Sequence, residues 1–392
     1  MAQEQFDIVV VGGAAIGSST AYHLAAAGFD GTVLVLEQDP SYQQCASALS
    51  AASIRQQYSS AINVDISLHG IEFLRAIGTH LEVEGERPDI GLREGGYLFL
   101  ATPAGAPALR AAHALQTARG ADIALLAPSD LAARAPWLMT DDLALGSLGR
   151  TGEGWFDGYG LMRAFQRKAR HLGVTYRTGT AVGVEQAGGR VQAVKLADGS
   201  VIGCGAVVNA AGAGGPAFAA AAGIALPVHN KKRMIFTFTC ADAVPDCPLV
   251  IDPSGVYFRP EGSGFICGTA PPPEDDPDSR DFDVDHRLFD DHIWPILAHR
   301  VPAFERIRPG RAWAGHYDMN LFDHNAIIGA APSLANFYLA NGFSGHGLQQ
   351  SPAVGRGLAE LILTGGYRTL DLSPLGYERL SRNAPLTEAK VV

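Results

Sequence analysis

The sequence predicts an α/β protein in which a Rossmann-type domain is interleaved with an antiparallel-sheet α+β domain. Three observations predict it. A strand, glycine turn, helix and second strand open the chain within about 30 residues, the size of one dinucleotide-binding half. Strand-then-glycine patterns return at 206–215 and 337–350. Short apolar strand-like segments fill much of the intervening sequence. One domain is therefore expected from three segments, 1–80, 150–225 and 320–392, and a second from 81–149 and 226–319.

Residues 6–11 form a run rich in β-branched side chains, as a strand buried on both faces requires. The turn is Gly12-Gly13-Ala14-Ala15-Ile16-Gly17. Residues 18–27 read as a helix of small residues that allow close packing, with Gly28 as its C-cap. A strand at 32–36 follows, and Glu37 and Gln38 come directly after it. The stretch 43–60 is polar and aperiodic, a loop or an irregular helix start. Helices are expected at 62–77, 108–119 and 160–172, and strands at 96–101, 174–177, 191–196 and 206–209. Residues 233–240, 255–259 and 264–268 read as antiparallel strands. A Pro- and Asp-rich loop at 271–285 precedes a helix at 286–299. Strand 337–340 leads into a glycine-rich turn and a helix at 351–364, with Ser351 as N-cap and Pro352 as its first residue.

Composition excludes several classes of function. The 392 residues carry 40 Asp and Glu against 30 Lys and Arg, a net charge of -10. That balance argues against a general nucleic-acid binder, which needs a basic face. An apolar content of 47% with 18% charged residues excludes intrinsic disorder. The 46 glycines have no three-residue period, so collagen is excluded. Cys45, Cys204, Cys240, Cys247 and Cys267 are scattered, with no metal-ligand spacing. No metal site or disulfide framework is expected, which fits a reducing cytoplasm. The uncharged runs 8–29 and 204–228 are interrupted by glycines and polar residues, so both read as buried strand–turn–helix segments with no transmembrane span.

The turn has the register Gly12-x-Ala14-x-x-Gly17. In Gly-x-Gly-x-x-Gly the first Gly makes the tight turn, the second admits the pyrophosphate and the third lets helix pack on strand. Ala14 stands at the second position, where a methyl crowds the phosphate slightly. Glu37 lies about 20 residues on, where a carboxylate takes both ribose hydroxyls and repels a 2′-phosphate. This argues against NADP. It does not separate NAD from FAD, since both carry an ADP moiety, and an NAD-dependent dehydrogenase stays open on the turn alone.

At 207–213 (VVNAAGA) and 341–350 (NGFSGHGLQQ) the chain resembles the FAD-dependent amino-acid oxidase superfamily, which includes sarcosine oxidase, glycine oxidase and dimethylglycine dehydrogenase. The resemblance covers nearly the whole chain, through GVYFRPEG, RVPAFE, AWAGHYD and DLSP as well. It implies an FAD-binding domain of the glutathione-reductase/p-hydroxybenzoate-hydroxylase kind, FAD without NAD, and two-electron oxidation of a C–N bond in an amine or amino acid. On the same basis the ADP half is held by the turn from Gly12 to Gly17 with Glu37 and Gln38. Ser50, Ala51 and Ala52 line the flavin and ribityl chain, and Val182 contacts the adenine side through its backbone. Ala210, Ala211 and Gly212 pass the pyrophosphate. Gly342, Gly345, His346, Gly347, Leu348 and Gln349 wrap the pyrimidine end, where a helix N-terminus stabilises the negative charge of reduced flavin.

The sequence departs from the family in ways that bear on its chemistry. The segment 313–318 has no Cys and 46–55 has no His, so FAD is expected to be noncovalent. The Lys that faces the flavin in monomeric sarcosine oxidase corresponds to Ile266, which leans toward an acceptor other than oxygen. The Lys that binds the substrate carboxylate corresponds to Gln349, and the glycine oxidase Arg to His316 or Tyr317. Candidates for the substrate pocket are Arg55, Tyr257, Arg259, His316 and Gln349. A carboxylate wants a bidentate Arg, with Arg55 first and Arg259 second. The expected partners are a small amine or amino-acid substrate and oxygen or another electron acceptor, with a homo-oligomer left open. Two alternatives stand beside oxidation of a secondary amino acid: a primary D-amino acid or glycine oxidase, and a flavoprotein assembly factor or scaffold for a respiratory complex.

Overall fold

The computed structural model describes residues 4–388. Among these residues two eight-stranded sheets and a two-stranded ribbon carry the fold. In the first sheet Gln5–Val11 pairs in parallel with Val33–Glu37 on one side and Val201–Asn209 on the other. Thr175–Thr178 and Phe337–Asn341 extend the parallel part, while Ile327–Ala330, Arg190–Leu196 and Ala181–Ala187 add antiparallel strands. Side chains of a strand alternate between faces. Ile8 and Val10 therefore enter one core and Val9 and Val11 another, which is why this strand is apolar at consecutive positions.

The helix Ala15–Ala26 packs against the helix Gly347–Thr364, and small residues set their separation. Ser19 Oγ donates to the Ser351 carbonyl at 2.7 Å. A Cβ on Gly355 would lie 2.2 Å from Ser19 Oγ, so a larger residue there would force the helices apart.

The second sheet runs Ile307–Asn320, Val228–Cys240, Gly264–Gly268, Tyr257–Glu261, Leu249–Ile251, Tyr97–Ala101, Leu145–Gly149, Ile123–Leu126. One face buries Leu98, Phe236, Phe238, Val250 and Phe258 with Phe289 and Phe304. The other presents Tyr97, Phe99, Leu249 and Ile251 with Trp155 and Tyr257. This second face turns toward the first sheet's loops, and Arg259 reaches from it to the Ala51 carbonyl at 2.7 Å.

Several elements differ from expectation. The last long helix begins at Gly347, not Ser351, so Ser351 is inside it and Pro352 lies in its second turn. Pro352 has no N–H for the Leu348 carbonyl. Ser351 Oγ donates to that carbonyl instead, at 2.8 Å, which makes the proline tolerable. Ile307–Asn320 is a 14-residue strand that its Pro309, Gly310 and mixed polarity conceal. It holds Pro309 because it is an edge strand with a register shift opposite Phe236 and Phe238. The buried strand expected at 206–209 is longer, Val201–Asn209, and the helix expected at 286–299 opens with a π turn at Leu288–Ile293 before Trp294–Arg300. No helix among the described residues is long and apolar enough to cross a membrane.

Candidate functional site

The turn after the first strand leaves room for no side chain at two points. Gly12 has φ +98°, and a Cβ there would sit 2.3 Å from the Ala210 carbonyl oxygen. A Cβ on Gly17 would sit 1.8 Å from the Gly12 carbonyl oxygen. Ala14 is extended with φ -73°, so the departure from glycine carries no backbone strain. Glu37 ends the second strand and its carboxylate accepts the Gly13 N–H at 2.8 Å and the Asp39 N–H at 2.9 Å. Burial pushes its carboxyl above the usual range, against those two donors. The Gly13 carbonyl in turn accepts from Ser18 Oγ and Gln166 Nε2, at 2.6 and 2.9 Å.

The second glycine-rich segment is organised by Asp318. Its carboxylate accepts the Gly342 N–H at 2.8 Å and its carbonyl accepts the Ser344 N–H at 3.1 Å. Burial pushes the Asp318 carboxyl up to about 6. Ser344 takes a left-handed φ of +52°, steadied by its hydroxyl, which accepts the Asn320 N–H at 3.0 Å. Gly345 has φ +91° and packs so closely on Tyr317 that a Cβ would lie 2.3 Å from the ring. The first helical bond runs from the Gln350 N–H to the His346 carbonyl, 3.2 Å. The N–H groups of Gly347, Leu348 and Gln349 thus point out of the helix end.

Arg55 is the centre of a buried cluster and is 4% exposed. Its guanidinium lies over the rings of Tyr58, Phe99 and Tyr97 at 4.8, 5.4 and 5.7 Å. It contacts His346 Nε2 at 3.2 Å, while its Nε has no partner. Arginine can only donate, so Nε2 is the acceptor and His346 carries its proton on Nδ1. Burial, with Arg55 beside it, holds this imidazole well below its ordinary pKa. Gln349 accepts the Arg55 N–H at 2.9 Å and donates to the Tyr58 hydroxyl. It fixes the segment that carries Arg55. Glu153 supports the same segment from behind, accepting from Gln56 N–H and Gln57 Nε2 at 2.6 and 2.8 Å, with its carboxyl pushed up to about 7 by burial.

The remaining candidates fall in different places. Tyr257 and Tyr317 sit near Tyr97, and burial pushes both hydroxyls up, so they stay neutral donors. Neighbouring residues of a strand face opposite ways, and His316 opposes Lys232 and packs against Phe282, 4.6 Å between ring centres, apart from the Arg55 cluster. Arg259 pairs across the sheet with Ile266 and lies over Trp155 at 5.4 Å. It belongs to a cavity of about 370 Å³ that Ser50, Ala51 and Ala52 also line. Val182 is 50% exposed on the outer strand Ala181–Ala187. Sequence reasoning missed Tyr58, Tyr97, Phe99, His346 as the Arg55 acceptor, and Asp318. Only the strand alternation of 97–101 hinted that Tyr97 and Phe99 share a face. Among the described residues no group of His, Cys, Asp and Glu could hold a metal.

A parallel sheet whose first strand runs into a glycine turn, with a carboxylate ending the second strand, is the architecture of a dinucleotide-binding oxidoreductase. The chain belongs to the DAO family of FAD dependent oxidoreductases, whose model matches residues 7–361. Its cofactor is FAD, which sets aside the NAD-dependent reading. The chain is similar to FAD-dependent oxidoreductase domain-containing protein 1 of Xenopus laevis, at 41% identity over 99% of this chain and 85% of that one. It is also similar to mitochondrial sarcosine dehydrogenase of Homo sapiens, at 27% identity over 92% of this chain but 40% of that protein. L-proline dehydrogenase from P. horikoshii superposes with a TM-score of 0.87 at 25% identity, covering 98% of this chain and 100% of that one.

Proposed function

We propose that this flavoprotein oxidises the C–N bond of an amino acid or N-substituted amino acid, giving an imine that hydrolyses in solution. One observation carries the substrate reading. Arg55 is a buried cation with an unpartnered Nε and, among the described residues, no carboxylate in an ion pair with it. The carboxylates of Glu153 and Glu388 attract it without forming an ion pair, and a buried charge with no direct partner is costly, so a substrate carboxylate would supply the contact that is missing. Sarcosine dehydrogenase and L-proline dehydrogenase, named for secondary amino acids, support the same chemistry.

The residues fit FAD on their own geometry. The Gly12–Gly17 crowding leaves bare backbone for a pyrophosphate. Glu37 would take the ribose hydroxyls, and the N–H groups of 347–349 would face the flavin pyrimidine. When bound, FAD supplies the acceptor for a hydride from the substrate carbon. Arg55 would hold the carboxylate and so fix the position of that carbon. Tyr58, Tyr97 and Phe99 keep water from the pair and strengthen it. His346, held neutral, adds no second cation and requires no counter-ion. Tyr257 and Tyr317 offer neutral hydroxyls to the amine. The closing experiment incubates the FAD-loaded protein with a dye acceptor and a panel of primary and N-alkyl amino acids. Release of a carbonyl compound and an amine in equal amounts is the expected result, and its absence across the panel would reject the proposal.

A further inference from the structure

The segment that carries Arg55 is held at three points. Gln349 accepts the Arg55 N–H, and Glu153 accepts from Gln56 and Gln57. The third point is Glu388, a buried carboxylate more than 300 residues away in the chain. One of its oxygens accepts the Ser59 N–H and the Ser59 hydroxyl, each at 2.7 Å. The other accepts the Ser60 N–H at 3.2 Å, Asn63 Nδ2 at 2.8 Å and the Ser60 hydroxyl. Ser60 caps the helix Ala61–Arg75, so the carboxylate also sits at the positive end of that helix. Its charge attracts the Arg55 guanidinium without touching it.

The strap that brings Glu388 here is anchored without it. Arg379 pairs with Asp323 at 2.7 Å, both buried, and Asp323 accepts the Leu386 N–H at 3.0 Å. Asn63 is steadied separately, donating to Asn325 at 2.6 Å and accepting from Gln350 at 3.1 Å. Glu388 is therefore not needed to hold the strap down, and its carboxylate is spent on the segment 59–63. Backbone N–H groups and the Asn63 amide nitrogen can only donate, so acceptor oxygens are needed on both sides of the carboxyl group. We propose that Glu388 is a positioning residue: it clamps the far end of the 55–60 segment and so holds the Arg55 guanidinium where a substrate carboxylate meets it. This deepens the Arg55 reading and rests on it.

Glu388→Gln keeps the shape and turns an amide NH2 toward donors that need an acceptor. Wild-type, Glu388→Gln and Arg55→Met proteins are compared at equal FAD content. Hydrogen–deuterium exchange reads the backbone of 55–60, where Glu388→Gln should speed exchange about tenfold and leave the strand Val33–Glu37 unchanged. Propionate, which has no C–N bond to oxidise, is the carboxylate probe, followed through the flavin absorbance. Glu388→Gln should weaken it about tenfold. By reciprocity, saturating propionate should then restore slow exchange at 55–60 in the Glu388→Gln protein, a response that a merely structural role would not give. Exchange at 55–60 unmoved by Glu388→Gln overturns the clamp. Faster exchange with propionate affinity unchanged, while Arg55→Met loses the probe, overturns the positioning role and leaves the Arg55 reading standing. Propionate bound as well by Arg55→Met as by wild type, or by neither, refutes the Arg55 reading and this proposal with it.

Discussion

Replacing Arg55 by Met removes the guanidinium and keeps much of the side-chain volume inside the aromatic wall. The cost follows from the setting. Two unit charges about 4 Å apart interact by about 4 kcal/mol at an effective dielectric constant near 20, a value suited to partly buried pairs. Arg55 is enclosed by three rings, so little water screens it. The predicted loss in kcat/KM is therefore about a thousandfold for a carboxylate-bearing substrate. For the matching amine without a carboxylate the loss should stay within about tenfold, since that substrate never used the charge. The assay compares both substrates on both proteins at equal FAD content. Equal losses on the two would mean that Arg55 holds the fold or the cofactor, and the carboxylate argument would be wrong.

Four further outcomes follow from the same geometry. Gly12→Ala places a methyl 2.3 Å from the Ala210 carbonyl oxygen, and the purified protein should carry well under half of its FAD, read by absorbance. Glu37→Ala leaves the Gly13 and Asp39 N–H groups without their acceptor; FAD should bind about ten- to a hundredfold more weakly, by fluorescence titration. Ser351→Ala uncovers the Leu348 carbonyl and should lower stability by about 1 kcal/mol in urea, with FAD content unchanged. His23 is held neutral, its pKa lowered to about 3 by burial with Arg356 beside it. The unfolded chain takes up a proton below its ordinary value of 6.5 and the folded one does not, so stability falls as pH drops from 6.5 toward 3. That slope is about 1.4 kcal/mol per pH unit, and His23→Leu should flatten the urea midpoint between pH 6 and 5 by about this much.

The opening strand, turn and helix were legible because their composition records the packing around them, even where the partner is distant, as Ala210 is for Gly12. A strand buried on both faces must be apolar throughout, and Gly12 and Gly17 answer to close backbone contacts that admit nothing larger. The helix at 347–364 misled through a local signal: Ser351-Pro352 resembles a helix start, whereas Ser351 Oγ satisfies a carbonyl that Pro352 abandons. The strand Ile307–Asn320 was hidden because its long pairing with Val228–Cys240 stabilises it, not its own propensity. That omission also left His316 and Tyr317 undivided, since only the strand decides which faces Gly345. The Arg55 wall was the least legible part. Tyr58, Tyr97 and His346 come from three distant segments, and the sequence named the cation without the rings that isolate it.

The proposed electron donor is an amino acid held by its carboxylate on Arg55. The most direct measurement is anaerobic: the yellow, FAD-loaded protein is mixed with a panel of N-alkyl and primary amino acids and with the same amines lacking the carboxylate, and flavin absorbance is followed. Bleaching by at least one amino acid, fast relative to its carboxylate-free counterpart, is the expected result. Absorbance unchanged by every amino acid, or bleaching as fast by the bare amines, would contradict it.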